Sequence, residues 1–129
     1  MIKAVIFDLD NTLLDFIKMK REAVVNALLS MKEAGLELDI DKSYDKVMSI
    51  YESEGWEHQL VFNKFLMDEI GYVDNKFLAA AIVAYRRGKE ANLKAYPNVH
   101  RTLNHLMKIG IRLAIVSDAP SREAWMRIY

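Results

Sequence analysis

Two short apolar runs constrain what this chain can fold into more than any other feature. IKAVIFD, residues 2–8, is rich in β-branched side chains and almost continuously apolar. IRLAIVSD, residues 111–118, repeats the pattern near the other end. Such a run suits a strand buried on both faces, as in a parallel sheet. Parallel strands cannot be joined by a tight hairpin; they need a crossover, usually a helix. The sequence between the two runs reads almost entirely as helix, so the chain is predicted to be α/β.

Five helices are predicted between the runs. The first covers 15–34, with Val24, Leu28 and Met31 on one face and Gly35 as its stop. The second covers 41–54, with Tyr44, Val47, Met48 and Tyr51 as its stripe, broken at Gly55. The third, 58–70, aligns Phe62, Phe65, Leu66 and Ile70 and ends at Gly71. The fourth, 75–89, uses Leu78, Ala81, Ile82 and Tyr85. Pro97 then interrupts, and a fifth helix at 98–109 aligns Val99, Leu103 and Leu106 before Gly110. A sixth begins near Pro120 or Ser121. The fifth helix suffices as the crossover. The first four carry more apolar stripe than one crossover requires, so they read as an inserted module. This divides the chain into an α/β core at 1–14 and 94–129 and a helical insertion at 15–93. Met19, Met31, Met48 and Met67 are read as core filler, and KMKREA and YRRGKE as solvated helix faces.

Composition narrows the function. With 129 residues, 52% of them hydrophobic, the chain is long enough for one domain with a buried core. Eighteen basic residues balance eighteen acidic ones, so nothing marks a nucleic-acid or anionic-membrane partner. The absence of cysteine excludes disulfides, thiolate zinc sites and a Cys nucleophile. His58, His100 and His105 lack a tight metal-ligand spacing. No apolar run reaches the roughly 18 residues of a membrane span, and Asp8 and Asp10 interrupt anything resembling a signal peptide. The expectation is a cytoplasmic protein.

The chemistry concentrates where the apolar runs end. In open α/β sheets, ligands bind beyond the carboxyl ends of the strands. There the first run meets Asp8 and Asp10, and the second meets Ser117 and Asp118. A carboxylate buried by such a run would be costly unless paired, hydrogen-bonded or metal-bound. The plain alternative is structural: Asp10, Asn11 and Thr12 make a turn or cap a helix, Ser117 is a strand-end hydroxyl, and Asp118 is a turn or cap residue. Trp56 and His58, in the break between two helices, either pack locally or reach a substrate.

DLDNTL after AVIF resembles the Asp-x-Asp-x-Thr motif of the haloacid dehalogenase (HAD) superfamily, and LAIVSD resembles its second motif, a hydrophobic strand ending in Ser or Thr. A helical insertion right after the first motif is similar to the cap of the phosphatase-type members, and YPNVHRTLNHLMKIGIRLAIVSDAP to the segment that joins cap to core. The resemblance spans the whole chain. It implies a partial Rossmann-like parallel-sheet core with an inserted four-helix cap. It also implies a phosphatase of small phosphorylated metabolites, working through an aspartyl-phosphate. Asp8 would be the nucleophile and Asp10 the general acid and base. Mg²⁺ would sit on the Asp8 carboxylate and the Asp10 backbone carbonyl. Thr12 and Ser117 would donate to phosphate oxygens, with Asp118 beside them at the substrate. Asp10 argues against the dehalogenases, which attack carbon and lack this acid. A phospho-acceptor receiver domain gathers similar residues but has no large helical insertion.

The family also uses a Lys and a second acidic pair, both after the second motif. Only residues 119–129 follow Asp118, and no earlier Lys matches. The 129 residues are therefore expected to be the N-terminal part of a longer enzyme, a truncated product, or a short non-catalytic module acting through protein contacts. Two parallel strands alone leave open sheet edges, through which copies of the chain would pair.

Overall fold

The computed structural model describes all 129 residues. In chain order the elements are β1 (Ala4–Asp8), α1 (Phe16–Glu33), α2 (Ile40–Glu54), α3 (Val61–Ile70), α4 (Asn75–Asn92), α5 (Val99–Lys108), β2 (Arg112–Val116) and α6 (Ser121–Ile128). β1 and β2 pair in parallel, Ala4 beside Arg112 through Asp8 beside Val116. The predicted α/β order is what forms, with boundaries close to those expected. The largest shifts are at α4, which ends at Asn92 rather than 89, and at α3, which starts at Val61 rather than 58. His58 donates its N–H to the Gly55 carbonyl at 3.1 Å, so a turn closes there, and Leu60 stands at the N-cap without a side-chain capping bond.

The chain forms two compact units, residues 1–19 with 93–129 and residues 20–92. The first holds the sheet. Its strands are not buried on both faces as predicted: Ile6 is 66% and Val116 63% exposed. The register explains the pattern, because pairs in register share a face. Val5, Phe7 and Leu113 are half-buried on one side, where Leu103 of α5 and Ala124 and Ile128 of α6 line the same apolar cavity as Phe7 and Leu113. Ile6, Ala114 and Val116 lie on the other side, exposed. α5 keeps its predicted stripe, with Val99, Leu103 and Leu106 its half-buried residues.

Where the helices leave and rejoin this unit, the two chain segments pair. The Asp15 N–H donates to the Lys94 carbonyl at 2.9 Å and the Tyr96 N–H to the Leu13 carbonyl at 3.0 Å. The first turn of α1 belongs with the sheet and the rest of α1 with the helical unit.

The helical unit holds the best-packed core. Val24, Leu28 and Met31 of α1 meet Val47 and Tyr51 of α2, Phe62, Phe65 and Leu66 of α3 and Ala81 of α4, all buried. These are largely the predicted stripes. Two readings fail. Met67 is 51% exposed, on the solvent side of α3 rather than in the core. Lys20, within the supposedly solvated KMKREA, is buried: its Nζ donates to the Trp56 carbonyl at 2.7 Å and the Tyr85 hydroxyl at 2.6 Å, and lies 4.0 Å from the Tyr51 ring centroid. Those acceptors and the ring face replace the water that the ammonium loses.

Candidate active site

β1 delivers Asp8 to the carboxyl end of the sheet, and a compact turn follows. The Leu9 carbonyl accepts from the N–H groups of Leu13 at 3.0 Å and Leu14 at 3.1 Å, while the Asn11 N–H donates to the Leu14 carbonyl at 2.8 Å. Asn11 has φ 61°, a left-handed conformation that its short polar side chain tolerates. Its Oδ1 accepts from the Ile17 N–H at 3.2 Å, at the start of α1. The turn-and-cap alternative is therefore real for Asn11, which shares the start of α1 with Asp15, whose Oδ1 accepts from the Lys18 N–H at 3.2 Å.

Asp8 is exposed rather than buried, on the same side of β1 as Ile6. A strand in a two-stranded sheet lacks the neighbours that would desolvate its end. Asp8 Oδ1 accepts from the Leu9 N–H at 3.0 Å, and Thr12 Oγ1 lies 3.5 Å from Oδ2, a long hydrogen bond. In register Asp8 stands beside Val116, so Ser117, the next residue, emerges at the same end of the sheet. Ser117 Oγ accepts from the Ala119 N–H at 3.2 Å and shapes its own turn. Asp118 is exposed in the bend after β2, and the N-cap of α6 is Pro120, so Asp118 does not cap that helix.

Asp10 is half-buried and has a partner that the sequence reading missed. Arg127 Nη1 of α6 donates to its Oδ2 at 2.8 Å, and the Arg127 side chain is only 2% exposed. The guanidinium carbon lies 4.7 Å from the centroid of the Phe16 ring. Nothing in the sequence marks it; only the fold shows that α6 buries Glu123 and Arg127, four residues apart, and exposes Trp125 and Met126. Charged residues buried in preference to a tryptophan imply a partner.

Trp56 stacks on Tyr51, with centroids 5.9 Å apart and planes at 9°, which supports local packing for that residue. The exposed Asp8 carboxylate at the end of β1 is an oxygen donor of the kind a hard divalent cation takes. No cluster of three or more His, Cys, Asp or Glu stands around it, so the donor set in these residues is small. Mg²⁺ tolerates that, since it commonly binds through one or two carboxylates and keeps several waters.

A family model for haloacid dehalogenase-like hydrolases matches residues 2–129. A Methanopyrus kandleri protein named glyceraldehyde 3-phosphate phosphatase is 37% identical, over 99% of this chain and 56% of its own length. One of the same name from Methanocaldococcus jannaschii is 29% identical, again over 99% and 56%. The chain thus spans about half the length of the curated relatives it matches. A Thermotoga maritima structure, solved as a candidate β-phosphoglucomutase, matches with a TM-score of 0.69 at 26% identity, over 98% of this chain and 55% of that one.

Proposed function

Because the chain belongs to the haloacid dehalogenase-like hydrolases, we propose that its protein is a phosphatase of small phosphorylated metabolites, with Asp8 as nucleophile. The observation that carries this is the register. Asp8 and Ser117 stand at one end of a parallel pair, with Asp10 two residues beyond Asp8. The names of these two relatives favour a three-carbon sugar phosphate as substrate.

In the proposed reaction an Asp8 carboxylate oxygen attacks phosphorus. The bond from phosphorus to the ester oxygen breaks, and Asp10 gives its proton to the departing alkoxide. Water then attacks the phosphorus of the aspartyl-phosphate, its proton passes to Asp10, and inorganic phosphate leaves Asp8 free. Thr12 and Ser117 would donate hydrogen bonds to the phosphoryl oxygens, with Asp118 at the rim of the substrate site. The Asp8 carboxylate and Asp10 carbonyl would hold Mg²⁺, whose charge offsets the repulsion between carboxylate and phosphate. Residues 15–93 would act as the cap. Substitution of the carbon-attacking alternative for this reading would leave Asp10 without a task.

The test is Asp8→Asn in the full-length protein, assayed on glyceraldehyde 3-phosphate and a generic phosphomonoester with Mg²⁺. Phosphate release is expected to vanish. Activity that survives the substitution rules out Asp8 as the nucleophile.

A further inference from the structure

Burying an arginine is costly, and α6 buries one while leaving a tryptophan and a methionine in solvent. Such a side chain is held for what it grips. Arg127 grips Asp10. The distance of 2.8 Å from Nη1 to Oδ2 is that of a charge-assisted hydrogen bond. The Phe16 ring, itself only 8% exposed, lies beside the guanidinium and limits where the fork can point.

The surrounding turn does not do this job. Hydrogen bonds from the N–H groups of Leu13 and Leu14 to Leu9, and from Asn11 to Leu14, fix the backbone around Asp10. They leave its side-chain torsions to be set by whatever the carboxylate touches. Arg127 takes hold of one carboxylate oxygen, and Phe16 steadies Arg127. Asp10 is thereby supported from two elements that are distant in sequence.

We propose that Arg127 is the positioning residue of this site: by holding Oδ2 it orients the protonated Asp10 carboxyl group so that the proton on Oδ1 is delivered to the leaving group, and Phe16 holds Arg127 in place. The inference rests on the reading of Asp10 as general acid. A lysine would serve poorly, because its point charge lacks the planar fork that meets a carboxylate and lies against a ring.

The leaving group tests this. 4-Nitrophenolate departs without a proton, whereas the alkoxide of glycerol phosphate needs one. The quantity to measure is kcat/KM for 4-nitrophenyl phosphate divided by kcat/KM for glycerol phosphate, in the full-length protein. It reports the first phosphoryl transfer, and as a ratio on one preparation it does not depend on the fraction of enzyme that is folded. Asp10→Asn is expected to raise the ratio by on the order of a hundredfold, within the usual range of general acid catalysis. Arg127→Met is expected to raise it by roughly tenfold, a partial loss of the same effect, with Arg127→Lys between Met and wild type. If Asp10→Asn raises the ratio and Arg127→Met leaves it unchanged or lowers it, the positioning role is wrong and the acid reading stands. If Asp10→Asn itself leaves the ratio unchanged, the acid reading fails and this inference falls with it.

Discussion

Lys20 and Tyr51 show what single polar residues cost and contribute inside the helical unit. Tyr51 is 2% exposed, and burial, with Tyr85 beside it, pushes its phenol well above the ordinary tyrosine value. The folded protein therefore keeps that proton at pH values where the unfolded chain gives it up. The resulting stability is complete below the unfolded pKa and is lost as pH rises above about 10. Thermal melts across the alkaline range should show a steep fall in Tm for wild type and a shallower one for Tyr51→Phe. An identical slope in both would assign the alkaline loss elsewhere. At the site, Asp8 and Asp10 were legible as residues because their type and spacing are local. Arg127 was not, because its meaning lies in a partner at position 10.

At the scale of elements, α1 and α4 approach closely at one point. Gly88 is buried within a stretch whose arginines are exposed, so YRRGKE is solvated on only part of its circumference. A Cβ at Gly88 would lie 2.6 Å from Asn26 Nδ2 and 3.0 Å from the Ala23 Cα. Gly→Ala in an exposed helix interior is normally stabilising by about 1 kcal/mol. Here the contact with backbone should reverse the sign, and Gly88→Ala is expected to destabilise by roughly 1–3 kcal/mol, the cost of overpacking, in urea denaturation. The helices themselves were legible because the 3.6-residue period is local. Their ends were less so. α2 begins at Ile40, capped by Asp39, whose side chain accepts from the Lys42 N–H at 3.1 Å. The start of α3 is set by the turn at Gly55–His58 rather than by its apolar stripe.

Across the whole molecule, packing is uneven. The helical unit buries a continuous apolar cluster, whereas the sheet exposes Ile6, Ile115 and Val116. Opening free energy follows buried contacts and protected hydrogen bonds. Hydrogen exchange on residues 1–129 should therefore find the amides of α1 and α3 protected longest and those of β2 exchanging early. If copies pair through the open sheet edge, protection in β2 rises with protein concentration. Early exchange in α3 would contradict this account, and concentration-independent β2 the pairing. No helix is long and apolar enough to cross a membrane.

The sequence by itself determined the α/β order, the stripes of the helices, and the Asp-x-Asp-x-Thr and Ser-ending strands that mark the family. All of these are encoded within a few residues of each other, as periodicity or motif. The tertiary structure alone decided that the strands are half-covered, that Asn11 and Asp15 cap the start of α1, that Lys20 is buried, and that Arg127 holds Asp10. Each of those depends on which distant segment arrives alongside. Burial and ion pairing are properties of neighbours in space, and a sequence lists only neighbours along the chain.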